Sequence, residues 1–159
     1  MEIKIQEHVN EPEKVLTDFL YLAIYTPDGE SPPSRNILNK PEVAHYYKHW
    51  GKPGDYAVFA FDEKKIVGAC WVRCFSVTEP GYGFIDPNIP ELSIAVSPAY
   101  RHQGIGKKMI RKLISILTGK YPAISLSVSR DNPAYYLYES IGFKLIYQFE
   151  SNCVMKKDL

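Results

Sequence analysis

The sequence has 159 residues, enough for one domain around one hydrophobic core, and its 45% hydrophobic and 23% charged residues exclude a long disordered or fibrous chain. Lys plus Arg number 19 against 18 Asp plus Glu, a net charge of +1 that excludes the whole-molecule basic field of a dedicated nucleic-acid binder. No apolar run approaches the roughly 20 residues of a membrane span, and Met1-Glu2-Ile3-Lys4-Ile5 lacks a signal peptide's basic flank and apolar run, so a cytoplasmic protein with no membrane partner is expected.

Ile3 and Ile5 alternate with polar neighbours as in a short strand, and Val15, Leu16, Phe19, Leu20 and Ala23 recur at helical spacing behind Pro12. Residues 26–35 carry Pro, Gly and Ser in a pattern that prevents regular structure, which predicts a long surface loop inside the single domain 1–159. Asn39 as cap and Pro41 in the first turn predict a second helix through His49. His45 and His49 have the spacing of a metal-binding helix, but Tyr46 stands where a zinc protease carries its Glu. The cysteines, Cys70, Cys74 and Cys153, are odd in number and lack a C-x-x-C pair, so neither a disulfide framework nor a metal is expected.

Two strands follow, Ala57 to Phe61 and Ile66 to Phe75, then a turn-rich stretch from Tyr82 and a strand from Glu91 to Val96. Ile105, Met109, Ile110, Leu113, Ile114 and Leu117 form the apolar face of a helix that Gly119 stops. A strand over Ile124 to Val128, a helix capped by Asn132 with Pro133 first and Gly142 after it, and strands Phe143 to Phe149 and Cys153 to Lys156 complete the chain. A strand-helix-strand unit over residues 91–129 inside hairpin-connected strands predicts an α+β domain whose mostly antiparallel sheet contains one parallel pair.

The informative segment runs from Val96 to Lys108. Gly104 and Gly106 stand where a strand-to-helix turn enters its first helical turn, which lets a phosphate approach backbone N–H groups that the helix leaves unpaired. Arg101, Lys107, Lys108 and Arg111 raise the local positive field. A Walker loop fails because Arg101 and Lys108 occupy the required Gly and Ser/Thr positions, and a dinucleotide fingerprint fails because its third Gly is Met109. The basic helix lacks interleaved aromatics, which argues against nucleic acid.

Arg101-x-x-Gly104-x-Gly106 after a strand, followed by Asn132-Pro133-Ala134-Tyr135-Tyr136-Leu137-Tyr138-Glu139-Ser140-Ile141-Gly142-Phe143, resembles the GCN5-related N-acetyltransferase (GNAT) superfamily. The first segment is similar to its R/Q-x-x-G-x-G/A pyrophosphate loop and the second to its N-x-x-A-x-x-L-Y-x-x-x-G-F helix; Gln103 departs from a position often basic in the family. The resemblance implies helices on both sheet faces and a parallel pair that splays to hold acetyl-CoA as co-substrate. It implies that Ala95, Val96, Arg101, His102, Gln103, Gly104, Ile105, Gly106, Lys107, Asn132 and Tyr135 bind the cofactor. A bulge in the strand before the loop would supply the unpaired backbone groups that the pantetheine arm needs.

Acyl transfer to an amine needs a base, donors for the developing oxygen charge, and an acid for the departing thiolate. The resemblance assigns the acid to Tyr138 and the oxygen's donor to a backbone N–H near Val96, and puts a carboxylate base near Glu91, with Asp86 in reserve. The acceptor's walls are expected from Tyr82, Trp71 and Asp86, with Arg35, Tyr46, Tyr47, Trp50, Val72, Arg73, Gly83 and Phe84, and would suit the primary amine of a small molecule or peptide. A non-catalytic acyl-CoA sensor or regulatory domain is the alternative, and a homodimer remains open.

Overall fold

The computed structural model describes residues 2–159. Strands β1 (Ile3–Gln6), β2 (Tyr56–Asp62), β3 (Lys65–Arg73), β4 (Glu91–Val96), β5 (Ala123–Ser129), β6 (Lys144–Phe149) and β7 (Asn152–Asp158) form one sheet in the order β1-β2-β3-β4-β5-β7-β6. Helices α1 (Pro12–Ala23), α2 (Pro41–Ala44), α3 (Ile105–Leu117) and α4 (Ala134–Ile141) complete the fold. Every neighbouring pair is antiparallel except β4 and β5, so the α+β sheet with one parallel step is as expected. No helix among the described residues is long and apolar enough to cross a membrane.

Period-2 alternation makes each central strand serve two cores. Cys70 and Val72 of β3 pack with Met109, Ile110, Leu113 and Leu117 of α3 and with Tyr135 and Tyr138 of α4. Ala69 and Trp71, pointing the other way, pack with Leu16, Phe19 and Leu20 of α1 and with Leu38, Val43 and Tyr46. The helices therefore cover both faces.

Two local expectations are corrected. The helix expected from Asn39 to His49 is a single turn, Pro41–Ala44, because Asn39 ends a preceding 3₁₀ turn (Arg35–Asn39) and Lys40 takes the cap position. Beyond Ala44 the backbone turns tighten, with Tyr46 N–H bonded to Val43 O at 3.2 Å and Tyr47 N–H to Ala44 O at 3.1 Å. The carbonyls of His45, Lys48 and His49 accept instead from the Arg73 guanidinium. Arg73 and its ion-pair partner Asp55, 2.7 Å apart, have side chains only 5% and 2% exposed. A buried guanidinium with five donors thus holds the non-helical segment that follows α2 by binding its free carbonyls.

The second correction concerns the expected bulge. β4 pairs with β3 in unbroken register from Arg73↔Glu91 to Gly68↔Val96. The unpaired backbone groups arise on the other edge of β4, where its only register partner in β5 is Glu91↔Ser125.

Candidate active site

The parallel pair opens immediately after Glu91. A hydrogen bond from Ser125 N–H to Pro90 O, 3.0 Å, closes the root of the V. Above it a cleft is lined by Leu92, Ser93 and Ile94 of β4 and by Leu126, Ser127 and Val128 of β5. Leu20, Ala23 and Ile24 at the end of α1, with Val43, Tyr46 and Tyr82, form one wall; Asn132 and Tyr138 join from the β5–α4 side.

Glu91 also lines the cleft and is 4% exposed, far from the solvated strand-end carboxylate that its residue type usually makes. Its Oε2 accepts from the Tyr46 hydroxyl at 2.5 Å and its Oε1 from the Gly83 amide at 3.0 Å. Burial pushes the carboxyl up to about 7, against the lowering effect of these two donors. A carboxylate that titrates near neutrality can take a proton and release it again. Gly83 makes this possible by close approach: a Cβ there would lie 2.7 Å from the Leu126 carbonyl carbon, so only glycine lets the loop pass against β5 and reach the carboxylate.

Tyr138 is also buried, at 9% exposure, and packs its ring edge-on to Phe143 with centroids 6.0 Å apart. Burial, and then the nearby Cys70 thiol, raise its phenol above the ordinary range, so it stays protonated and able to donate. α4 opens one residue later than expected, with Pro133 in the cap position, and Asn132 just before it accepts at Oδ1 from Ala134 N–H at 3.0 Å. Tyr135 points away into the core under the Arg130 guanidinium, 4.5 Å from its ring centroid, and does not line the cleft.

Ala95 and Val96 carry β4 up to the glycine loop, and Arg101 Nε donates to Val96 O at 3.0 Å, tying the strand end to that loop. His102 at φ 62° and Gly104 at φ 80° turn the chain through left-handed conformations. Arg101, His102, Gln103 and Gly104 are exposed, whereas Ile105 anchors the helix in the core and Gly106 and Lys107 are half-buried. A Cβ at Gly104 would meet nothing within 4 Å, so the space in front of the first helical turn is open and its N–H groups are accessible to an anion. The residues present fit a pyrophosphate here.

Several expected wall residues lie elsewhere. Trp71 is 0% exposed, and its Nε1 donates to Tyr46 O at 3.0 Å, so it supports Tyr46 from behind and cannot touch an acceptor. Asp86 is exposed outside the cleft and closes its own turn by accepting from Asn88 N–H at 2.8 Å. Arg35 pairs with Asp18, Tyr47 donates to Leu38 O, and Trp50 stacks on Arg73. The cleft-lining Leu20, Ala23 and Ile24 were missed, because on sequence grounds alone an apolar stripe on a helix reads as core throughout.

A model of the acetyltransferase (GNAT) family matches residues 22–143. Among curated proteins none matches the sequence. Solved structures do. The PaiA N-acetyltransferase of Thermoplasma acidophilum in complex with coenzyme A is 20% identical with TM-score 0.66, all of both chains being covered. A phosphinothricin acetyltransferase of Sinorhizobium meliloti in complex with AcCoA is 20% identical with TM-score 0.68, over 100% of this chain and 89% of that one. The ribosomal-protein-S18-alanine N-acetyltransferase of Escherichia coli is 17% identical with TM-score 0.64, over 99% and 94%. With a family model spanning most of its length, and a fold shared with these structures, the chain belongs to the acetyltransferase (GNAT) family.

Proposed function

We propose that the protein transfers an acetyl group from acetyl-CoA to a primary amine, with Glu91 receiving the amine's proton and Tyr138 protonating the departing sulfur. The observation that carries this reading is that one cleft between splayed strands is lined by a carboxylate titrating near neutrality and a phenol held protonated.

Acetyl-CoA supplies the thioester that the amine attacks. The N–H groups of residues 101–106 would take the pyrophosphate, and the unpaired edge of β4 and Asn132 would take the pantetheine arm. The amine reaches the site as an ammonium, and Glu91 is the only charged side chain among those lining the cleft. It attracts the ammonium, then accepts its proton, freeing the nitrogen lone pair to form the new C–N bond. As the C–S bond breaks, the Tyr138 hydroxyl gives its proton to the sulfur, and the second proton that the nitrogen sheds on becoming an amide restores the phenol.

Leu20, Ala23, Ile24 and Val43 line the cleft with no Lys or Arg beside them, which suits an acceptor with an apolar body and disfavours one that needs its own carboxylate paired. An amine panel assayed with acetyl-CoA for free thiol release tests the reading. Turnover with an apolar primary amine supports it; tight acetyl-CoA binding without turnover on any amine would favour a sensor.

A further inference from the structure

Tyr46 sits in the wall of the cleft with its hydroxyl placed between two partners of fixed character. The Tyr82 amide, 2.8 Å from the phenol oxygen, can only donate, so it occupies one of the oxygen's lone pairs. The phenol's own proton is thereby directed to Glu91 Oε2, 2.5 Å away. We propose that Tyr46 is a positioning residue for Glu91: its hydroxyl fixes the carboxylate in the cleft and holds it in the proton-accepting form. This rests on the reading of Glu91 as base.

The surroundings leave that task to Tyr46. Arg73 is the register partner of Glu91 across β3 and β4 and is the nearest cation by topology, yet its guanidinium is committed to Asp55 and to the His45, Lys48 and His49 carbonyls. Ser125, paired with Glu91 on the other side, has a buried hydroxyl without a partner. Tyr46 is thus the one side-chain donor to Glu91 among the described residues, and the Gly83 amide is the other donor. Successive amides of one loop clamp both members of the couple, Tyr82 on the phenol and Gly83 on the carboxylate. The phenol is itself immobile: Trp71 Nε1 holds Tyr46 O, and the ring packs against Phe75 with centroids 5.0 Å apart. The other titratable groups near the couple are His45, edge-on to the Tyr46 ring and pushed toward its neutral form by burial, with Glu79 and Glu42 beside it, the Tyr82 phenol, on which Glu42 also acts, and Tyr138 across the cleft.

A donor to a carboxylate favours its ionised form, so removing the hydroxyl should make Glu91 harder to ionise. In Tyr46→Phe the acid limb of kcat/KM should move up by about one pH unit, giving a loss of roughly tenfold on the acid side that closes as pH rises. Acetyl-CoA affinity should be unchanged, which also certifies folding; Tyr46→Met, of apolar character without a hydroxyl, carries the same expectation. The midpoint of the Glu91 carboxyl, followed by carbon-13 NMR, should rise in parallel. An unshifted midpoint, or a loss of activity equal at every pH, would overturn the proposal. Full activity in Glu91→Gln would instead defeat the assignment of the base, and the NMR midpoint in Tyr46→Phe would still decide whether Tyr46 controls that carboxyl's charge.

Discussion

Glu91 and Ser125 form the only register pair between β4 and β5, and the strands part immediately above them. The cleft and the proposed base therefore share one origin: the residue that ends the pairing also presents the buried carboxylate. Ligand sites at the ends of parallel strands commonly arise where sheet pairing is interrupted, because backbone groups and space become available together.

The glycine loop offers the simplest test of cofactor placement. Gly104→Asp puts a negative charge in the open space before α3 and forces a side chain onto a backbone at φ 80°. Calorimetry should show acetyl-CoA binding abolished. Gly104→Ala, which adds only the left-handed strain of about 1 kcal/mol, should bind with a much smaller loss. Equal affinity in Gly104→Asp and the parent would remove the pyrophosphate from this turn.

For Tyr138, substitution by Phe keeps the edge-on packing against Phe143 and deletes only the hydroxyl. Turnover should fall on the order of 10²-fold with acetyl-CoA affinity spared, as for loss of a general acid. Pre-steady-state measurement of the chemical step checks this, and an undiminished step would reject the role.

Glu91 should also leave a signature in stability. Its folded-state carboxyl lies near 7, above the ordinary 4.5, so the folded state binds the proton more tightly than the unfolded state does. The resulting stabilisation is full below the ordinary value and is lost as pH rises through about 7. Urea unfolding of the parent and of Glu91→Gln should therefore show their difference drifting in favour of the variant between pH 5 and 8, by up to about 3 kcal/mol. A pH-independent difference would contradict the buried, titrating carboxylate.

The Arg73–Asp55 pair should be a structural element with a large effect. Asp55→Ala leaves a buried guanidinium without its partner, and a loss of about 3–5 kcal/mol in unfolding free energy is expected. The Arg35–Asp18 pair, with both side chains 56% exposed, should contribute under about 1 kcal/mol. Double-mutant cycles on both pairs check the contrast.

What the sequence showed and what it hid have physical causes. The α3 stripe, the β5 alternation and the caps at Asn132 and Gly142 are local patterns, and the structure reproduces them to within a residue or two. The single-turn α2 was not legible, because the segment after it is held out of helix by a guanidinium 24 or more residues away in sequence. Trp71 and Asp86 were misplaced for a similar reason: residue type says that a Trp or Asp could meet a ligand, but only the fold says that one faces the core and the other closes a turn. Tyr46 was legible only as an aromatic, since its value lies in two bonds to residues 36 and 45 positions away.

The most direct test of Glu91 as proton acceptor is the pH dependence of kcat/KM for Glu91→Gln against the parent, with an amine that the protein acetylates. The parent's acid limb should lie near pH 7, where Glu91 ionises. The variant should be strongly impaired there and recover as pH approaches about 10.4, where an alkyl amine supplies its own free base. A deficit of the same size at every pH would contradict a proton-accepting role and leave Glu91 as an electrostatic anchor for the ammonium.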